Sequence, residues 1–294
     1  MFVVGIDGGG TKTRVAVCAS DGTLLHRETL GAFNLSAIGE DGFRRRMGEI
    51  LTLCGDMRAC GALCVGGAGA SGAAMGEILR AELAAHGFAG KLLLCGDHEI
   101  ALAGAMQTPG CVLIAGTGSI CYGKNAAGEH FRCGGGGHII DDPGSGYALG
   151  RDALAAALQT EDGRLSENAL HGAVMDTVGG GIQGIFDFVY FSRRGKGDIA
   201  ALAPLVLRCA AQGDAASLDI LRRGAAELAR LVSAVMGKLG LENGSPCALA
   251  GGLLAEDNVY RRAVCAALAP FCRPAAPEHD ALFGAVQLAL AAIQ

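Results

Sequence analysis

Apolar and polar positions fall in short blocks along the chain. Phe2 to Ile6 and Arg14 to Cys18 read as strands, a turn follows at Asp21-Gly22, and a third short strand starts at Thr23. Much later the same order returns. Apolar Cys111 to Ala115 leads into the loop Gly116-Thr117-Gly118-Ser119, then a strand from Ile120 to Gly123 and a turn ending at Gly128. From loop end to turn glycine is nine residues in both places, Thr13 to Gly22 and Ser119 to Gly128. The pattern predicts a duplicated β-meander, each copy opening on a glycine loop.

After each copy the apolar period lengthens to that of a helix. Met75, Ile78, Leu79 and Leu83 recur at helical spacing, with Gly87 placed as a C-terminal cap. Leu218, Leu221, Ala225, Leu228, Val232, Val235 and Leu239 alternate by three and four before Gly240, which predicts one core-facing helix. A strand at Cys247 to Ala250 runs into Gly251-Gly252, and a helical stretch covers Leu282 to Ile293. Strands alternating with helices, twice over, predict an α/β protein of two similar lobes with a ligand cleft between them. The expected division is residues 1–114 with 281–294 in one lobe and 115–280 in the other.

A length of 294 residues agrees with two cores. The 48 glycines would suggest low complexity if they were not clustered between periodic apolar segments. Net charge is -5, no long Lys/Arg run exists beyond Arg44-Arg45-Arg46, and that triplet reads as a solvated helix face, so no nucleic-acid partner is expected. Twelve scattered cysteines with no CxxC pair read as reduced thiols packed as small hydrophobes in a cytoplasmic protein. No basic leader precedes Asp7 and the apolar runs are short, so neither a signal peptide nor a membrane span is expected.

The chemistry concentrates in residues 5 to 13, GIDGGGTKT. A Walker loop fails here because Thr11 stands where the lysine belongs and Lys12 comes one place late. A dinucleotide GxGxxG fails too, since Gly8 and Gly10 are followed by Thr13. What remains is a hairpin whose bare backbone N–H groups and threonine hydroxyls suit phosphate oxygens, with Asp7 beside them to take a hydrated Mg²⁺. Gly116-Thr117-Gly118-Ser119 offers the same chemistry a second time, and Gly251-Gly252 gives a third close backbone approach. Together they point to a triphosphate with its metal. Asp97 follows the apolar run Leu92 to Cys95 and precedes a helical stretch, where it is placed as a helix N-cap. His98 and Glu99 read as solvent-facing or supporting residues.

GIDGGGTKT, GDHEIALAGA at 96–105, PGCVLIAGTGS at 109–119, GSGYALG at 144–150 and LAGG at 249–252 resemble, in that order, the BadF/BadG/BcrA/BcrD ATPase family, and within it the N-acetylglucosamine and glucosamine kinases. The resemblance covers nearly the whole chain. It implies two ribonuclease H-like lobes of the actin/hexokinase/Hsp70 fold, with the terminal helix returning to the first lobe, and transfer of the γ-phosphoryl group of ATP to an amino-sugar hydroxyl. It places Asp7 near Mg²⁺; Gly9, Gly10, Thr11, Lys12 and Thr13 on a first phosphate motif; Gly116, Thr117 and Gly118 on a second; and Gly251 and Gly252 on an adenosine motif. Asp97 matches the catalytic base, and Asn34, Ser119 and Asp142 match sugar-side positions. A homodimer is usual among similar kinases.

Two departures bear on the sugar. Gly136 stands where those kinases carry a bulky aromatic residue, and Pro143 where they carry an acidic one. A larger, muramyl-type substrate joins N-acetylglucosamine and glucosamine as an acceptor. The family also contains ATP-driven activators of CoA-dehydratases and reductases that share an iron-sulfur cluster. Their cluster motif is not visible here, and Cys121 and Cys133 read as structural. A sugar-responsive repressor would need a DNA-binding segment that the sequence does not show, and a sensor without turnover is disfavoured by retention of Asp7, Asp97 and both loops.

Overall fold

The computed structural model describes residues 1–67, 69, 72–192 and 194–294. Two compact units divide the chain, Met1–Thr108 with Pro277–Gln294 and Pro109–Ala276. The sequence pattern set these divisions after 114 and after 280. The strand at 110–115 pairs wholly within the second unit's sheet, which carries it there entire. The backbone N–H groups of Glu278 and His279 donate to Ala105 and Gly104, which ties that segment to the first unit.

The first unit holds β1 (Phe2–Gly8), β2 (Lys12–Ala19), β3 (Leu24–Gly31), β4 (Cys60–Gly67) and β5 (Lys91–Cys95), in the spatial order β3-β2-β1-β4-β5. β1 to β3 form an antiparallel meander, and β4 and β5 extend it in parallel beyond β1. Side-chain alternation gives this sheet two apolar faces. Val4, Ile6, Val15 and Val17 pack against α1 (Leu35–Cys54) and α2 (Ala73–Ala85) through Phe43, Met47, Ile50 and Leu79. Val3, Ala16, Ala62 and Cys64 pack on the other face against α3 (Asp97–Ala105) and the helix Ala281–Ile293, through Ile100, Leu282, Val286 and Ala289. On α1, Arg44 pairs with Glu40 and with Glu82 of α2, and Arg46 with Glu49, while Arg45 is exposed, so the arginine triplet is a solvated face held by ion pairs.

The two helices on the second face approach closely because glycines face the crossing. A Cβ placed on Gly284 would lie inside the van der Waals shell of the Ile100 carbonyl, and one on Gly104 inside that of the Asp280 carbonyl.

The second unit repeats the plan. β6 (Gly110–Ala115), β7 (Ser119–Lys124) and β8 (His130–Gly134) form the meander; β9 (Pro246–Ala250) and β10 (Arg273–Ala275) extend it in parallel, in the order β10-β9-β6-β7-β8. The duplicated meander read from the sequence is thus the observed topology. Where the first unit has α1 between the meander and the next strand, the second inserts α4 (Gly146–Glu161), α5 (Ala169–Val178), α6 (Gly181–Phe186), α7 (Lys196–Ala200), α8 (Ala203–Ala211) and α9 (Ala215–Leu239). α10 (Val259–Leu268) lies between β9 and β10, and Ala281–Ile293 is α11.

α9 carries the expected stripe from Leu221 to Leu239 into the core, but Leu218 is 43% exposed. Its helix is capped by Asp214, whose carboxylate accepts from Ser217 N–H at 2.8 Å, and the inward positions of the first two turns are Ser217, Ile220, Leu221 and Gly224. Leu218 follows Ser217 by one position and therefore turns about 100° away from it. A Cβ added to Gly237, on the exposed side of the same helix, would meet no atom within 4 Å. Gly237→Ala is expected to stabilise the protein by about 0.5–1 kcal/mol through backbone entropy alone. A fall in thermal midpoint would contradict a continuous helix there. Among the described residues, no single helix is long and apolar enough to cross a membrane.

Candidate active site

The first glycine loop is shorter than its sequence suggests. Pairing of β1 with β2 continues through Asp7 opposite Arg14 and Gly8 opposite Thr13, leaving Gly9-Gly10-Thr11 as the turn. Backbone pairing needs no apolar side chain, so the strands run past the hydrophobic blocks that announced them. Gly9 donates to the Lys12 carbonyl at 3.0 Å and accepts from Phe33 N–H at 3.0 Å, and Gly10, Thr11 and Lys12 are exposed. Thr13 is not. Its buried hydroxyl donates to the Gly31 carbonyl at 2.7 Å, so it ties β2 to β3 rather than meeting a phosphate as expected.

Asp7 has a partner the sequence reading missed. Its Oδ2 accepts from Arg14 Nη2 at 2.5 Å and Nε at 3.1 Å, and Arg14 Nη1 reaches Asp280 Oδ2 at 2.7 Å. The signal was available in the register, since opposed residues on antiparallel strands share a face. Among the described residues Asp7 Oδ1 takes no hydrogen bond.

Asp97 opens α3, one place later than an N-cap. Gly96 holds the cap position with extended backbone, and its N–H donates to Glu99 Oε2 at 2.5 Å, so Glu99 closes the helix start from inside. Released from capping, the Asp97 side chain is 55% exposed. Its Oδ1 accepts from the His98 backbone N–H at 3.0 Å and lies 3.3 Å from His98 Nδ1. The imidazole hydrogen bond, set against partial burial, holds this carboxyl below the ordinary carboxylate value. The group is ionised at neutral pH. Asn34 is half-buried immediately before α1, next to Phe33, which stacks on Phe43 at 4.4 Å.

In the second unit the loop Gly116–Ser119 is braced from three sides. Gly116 N–H donates to the Gly118 carbonyl at 2.9 Å, Gly146 N–H to the Gly116 carbonyl at 2.7 Å, and Leu253 N–H to the Ala115 carbonyl at 3.1 Å. Ser119 and Asp142, expected on the sugar side, turn inward. Ser119 Oγ donates to the Pro143 carbonyl at 2.7 Å, and its N–H to Asp142 Oδ1 at 3.1 Å. Asp142, with its side chain 3% exposed, takes Lys196 Nζ on Oδ2 at 2.7 Å. It is the one non-glycine residue with positive φ among those described, at 60°. Lys196 was not singled out from the sequence, and a lone lysine between glycines gives no pattern to find it by.

Gly251 passes directly under Ala115 at φ 88°, where any Cβ would overlap the Ala115 backbone. That approach brings Gly252 level with Gly116 and Thr117, and together with Ala200, Pro204 and Leu253 they line a cavity of about 400 Å³. Its walls are backbone and small apolar side chains, suited to a flat aromatic ring. A larger cavity of about 680 Å³ in the same unit, by Asp152, Asp219 and Arg223, contains none of the expected residues.

The first unit therefore collects Asp7, the 9–13 loop, Asn34 and Asp97; the second collects Gly116 to Ser119, Asp142 and Gly251-Gly252. Residues 4–289 match the model of the BadF/BadG/BcrA/BcrD ATPase family. The chain is 35% identical over 249 residues to the N-acetylmuramic acid/N-acetylglucosamine kinase of Clostridium acetobutylicum, covering 82% of this chain and 81% of that one. It is 29% identical over 286 residues to the N-acetyl-D-glucosamine kinase of Dictyostelium discoideum, covering 89% and 86%. A crystal structure from Chromobacterium violaceum, provisionally assigned as an N-acetylglucosamine kinase, superposes with a TM-score of 0.74 at 30% identity over 98% of both chains. A ROK family glucokinase from Streptomyces griseus, at 17% identity and a TM-score of 0.59, shares the fold.

Proposed function

The chain belongs to the BadF/BadG/BcrA/BcrD ATPase family, and from that premise we propose that it is an ATP-dependent amino-sugar kinase acting on N-acetylglucosamine and its muramyl relative. The observation that carries the reading is the 35% identity, over four-fifths of both chains, to a kinase of those two sugars.

The chemistry divides between the units' residues. The cavity beside Gly251-Gly252 takes adenosine, and the N–H groups of Thr117 and Gly118, which make no hydrogen bond among the described residues, take phosphate oxygens. In the first unit Gly10, Thr11 and Lys12 present exposed donors suited to phosphate oxygens. Asn34 binds the sugar, and Asp97 accepts the proton of the attacking hydroxyl as the new O–P bond forms and the bond to the ADP leaving group breaks. Thr13, Ser119 and Asp142 act behind these contacts by holding the loops that make them. One carboxylate suits Mg²⁺, which keeps most of its waters and takes further oxygens from phosphate, so the open Oδ1 of Asp7 would hold it while Arg14 fixes Oδ2. Bound there, the ion would neutralise phosphate charge.

Support for a muramyl-type sugar comes from the 134–141 loop. Gly134, Gly135 and Gly137 have φ of 85°, 73° and 91°, and Gly136 N–H donates to Asp141 Oδ2 at 2.8 Å. The loop closes on itself, its His138 ring meets Tyr147 edge-on at 4.8 Å, and Gly136 adds no bulky side chain, the feature that would admit a 3-O-lactyl group. ADP release with ATP and Mg²⁺ is expected to depend on N-acetylmuramic acid or N-acetylglucosamine and to be at least about tenfold slower with glucose, which lacks the amide. Release that ignores the sugar, or is absent with every sugar, would overturn the assignment.

A further inference from the structure

Lys196 opens α7, and its ammonium lies against the second phosphate loop. A Cβ built on Gly118 would stand 3.0 Å from Lys196 Nζ and 2.9 Å from each Asp142 oxygen, so the bare face of this glycine is where the ion pair sits. The carboxylate cannot follow a ligand outward: it is buried, its backbone is left-handed, and Oδ1 is held by Ser119 N–H. The lysine can. Its side chain is 32% exposed, and only one of its three N–H donors is taken by Asp142.

Position along the loop selects the phosphate. Gly116 and Thr117 line the cavity, as do Gly197 and Ala200 of the helix that Lys196 begins, whereas Gly118 lies one residue beyond. A nucleotide seated in the cavity and running along the loop meets Gly116, Thr117 and then Gly118. We propose that Lys196 binds the terminal phosphate of the nucleoside triphosphate, with Asp142 as the positioning residue that holds the ammonium over Gly118. The inference rests on the kinase reading and adds to it the group that tells ATP from ADP. The strained conformation of Asp142 is the local cost of aiming that cation.

The test is calorimetric titration of ATP and of ADP, with Mg²⁺ and no sugar, into wild type, Lys196→Met and Lys196→Arg, with thermal midpoints alongside. Lys196→Met is expected to weaken ATP about tenfold or more and ADP less than about twofold, because a charge-assisted hydrogen bond to the terminal phosphate is lost. Lys196→Arg keeps the charge and should recover most of the ATP affinity. If Met leaves Asp142 buried without a partner and the protein fails to fold, the double variant Lys196→Met with Asp142→Asn removes both charges and answers the same question. Equal weakening of ATP and ADP, or unchanged ATP affinity, would overturn the proposal and leave the pair as a brace for the loop. Wild type that binds neither nucleotide would overturn the kinase reading itself, and this inference with it.

Discussion

Asp97→Asn is expected to lower sugar-dependent turnover by about 10²–10⁴, the usual worth of a positioned general base, while ATP affinity and the thermal midpoint stay at wild-type values. The fold should tolerate the change because Asp97 does not hold the cap position: Gly96 holds it and Glu99 closes it. An amide keeps the side chain's shape and its acceptor oxygen for His98 N–H, and removes only the site that receives a proton. Undiminished turnover in the variant would remove Asp97 from the mechanism. The pH dependence gives an independent reading. A depressed Asp97 keeps the base ionised as pH falls, so kcat/KM should hold until pH drops below the ordinary carboxylate range near about 4. In His98→Ala the imidazole is gone and the backbone donor remains, so the carboxyl rises toward its ordinary value and the acid limb moves to higher pH. A limb that stays in place would show that His98 does not set the charge of Asp97.

Gly284→Ala is expected to be the most damaging single methyl in the first unit. The added carbon would overlap the Ile100 carbonyl, a backbone atom that no rotamer change can move. To admit it, α11 must lift from α3, opening the apolar face where Leu282, Val286 and Ala289 cover Val3, Ala16 and Cys64. Overpacking against side chains costs roughly 1–3 kcal/mol; against backbone the upper end or more applies. At about 3 kcal/mol the thermal midpoint falls by about 6–12 °C in a unit of this size class. The same substitution at Gly237 is expected to raise stability, so the two alanines separate crowding from helix propensity. A neutral Gly284→Ala would mean the helices do not cross at these glycines.

The strand blocks, their doubling and the burial of α9 were legible because each depends on apolar periodicity, which the sequence carries locally. The side chains around the loops were harder to read. Whether Thr13 faces phosphate or Gly31 is a matter of strand parity, and parity changes with where pairing stops; the hydrophobic block ended at Ile6 while pairing ran to Gly8. Ser119 presents the same problem in the second meander, where its backbone pairs with Ala115 and its hydroxyl turns to Pro143. Asp7 and Arg14 meet through register, and Asp142 and Lys196 meet across 54 residues through packing of the inserted helices. The first pair is close in sequence but meets only once the hairpin register is known, and no short window of sequence contains the second. The resemblance to known kinases named the segments, and the geometry shows which of their side chains face outward and which hold the others in place.

The return of α11 to the first unit sets an order of assembly in time. Val3, Ala16 and Cys64 are synthesised early, yet the helix that covers them lies at 281–293, beyond the whole second unit. At about 5–20 residues per second, making residues 109–276 leaves that sheet face uncovered for roughly 10–30 s. Released chains that end short of residue 281 should therefore contain the whole second unit and a first unit that still exposes apolar surface and recruits holdase chaperones.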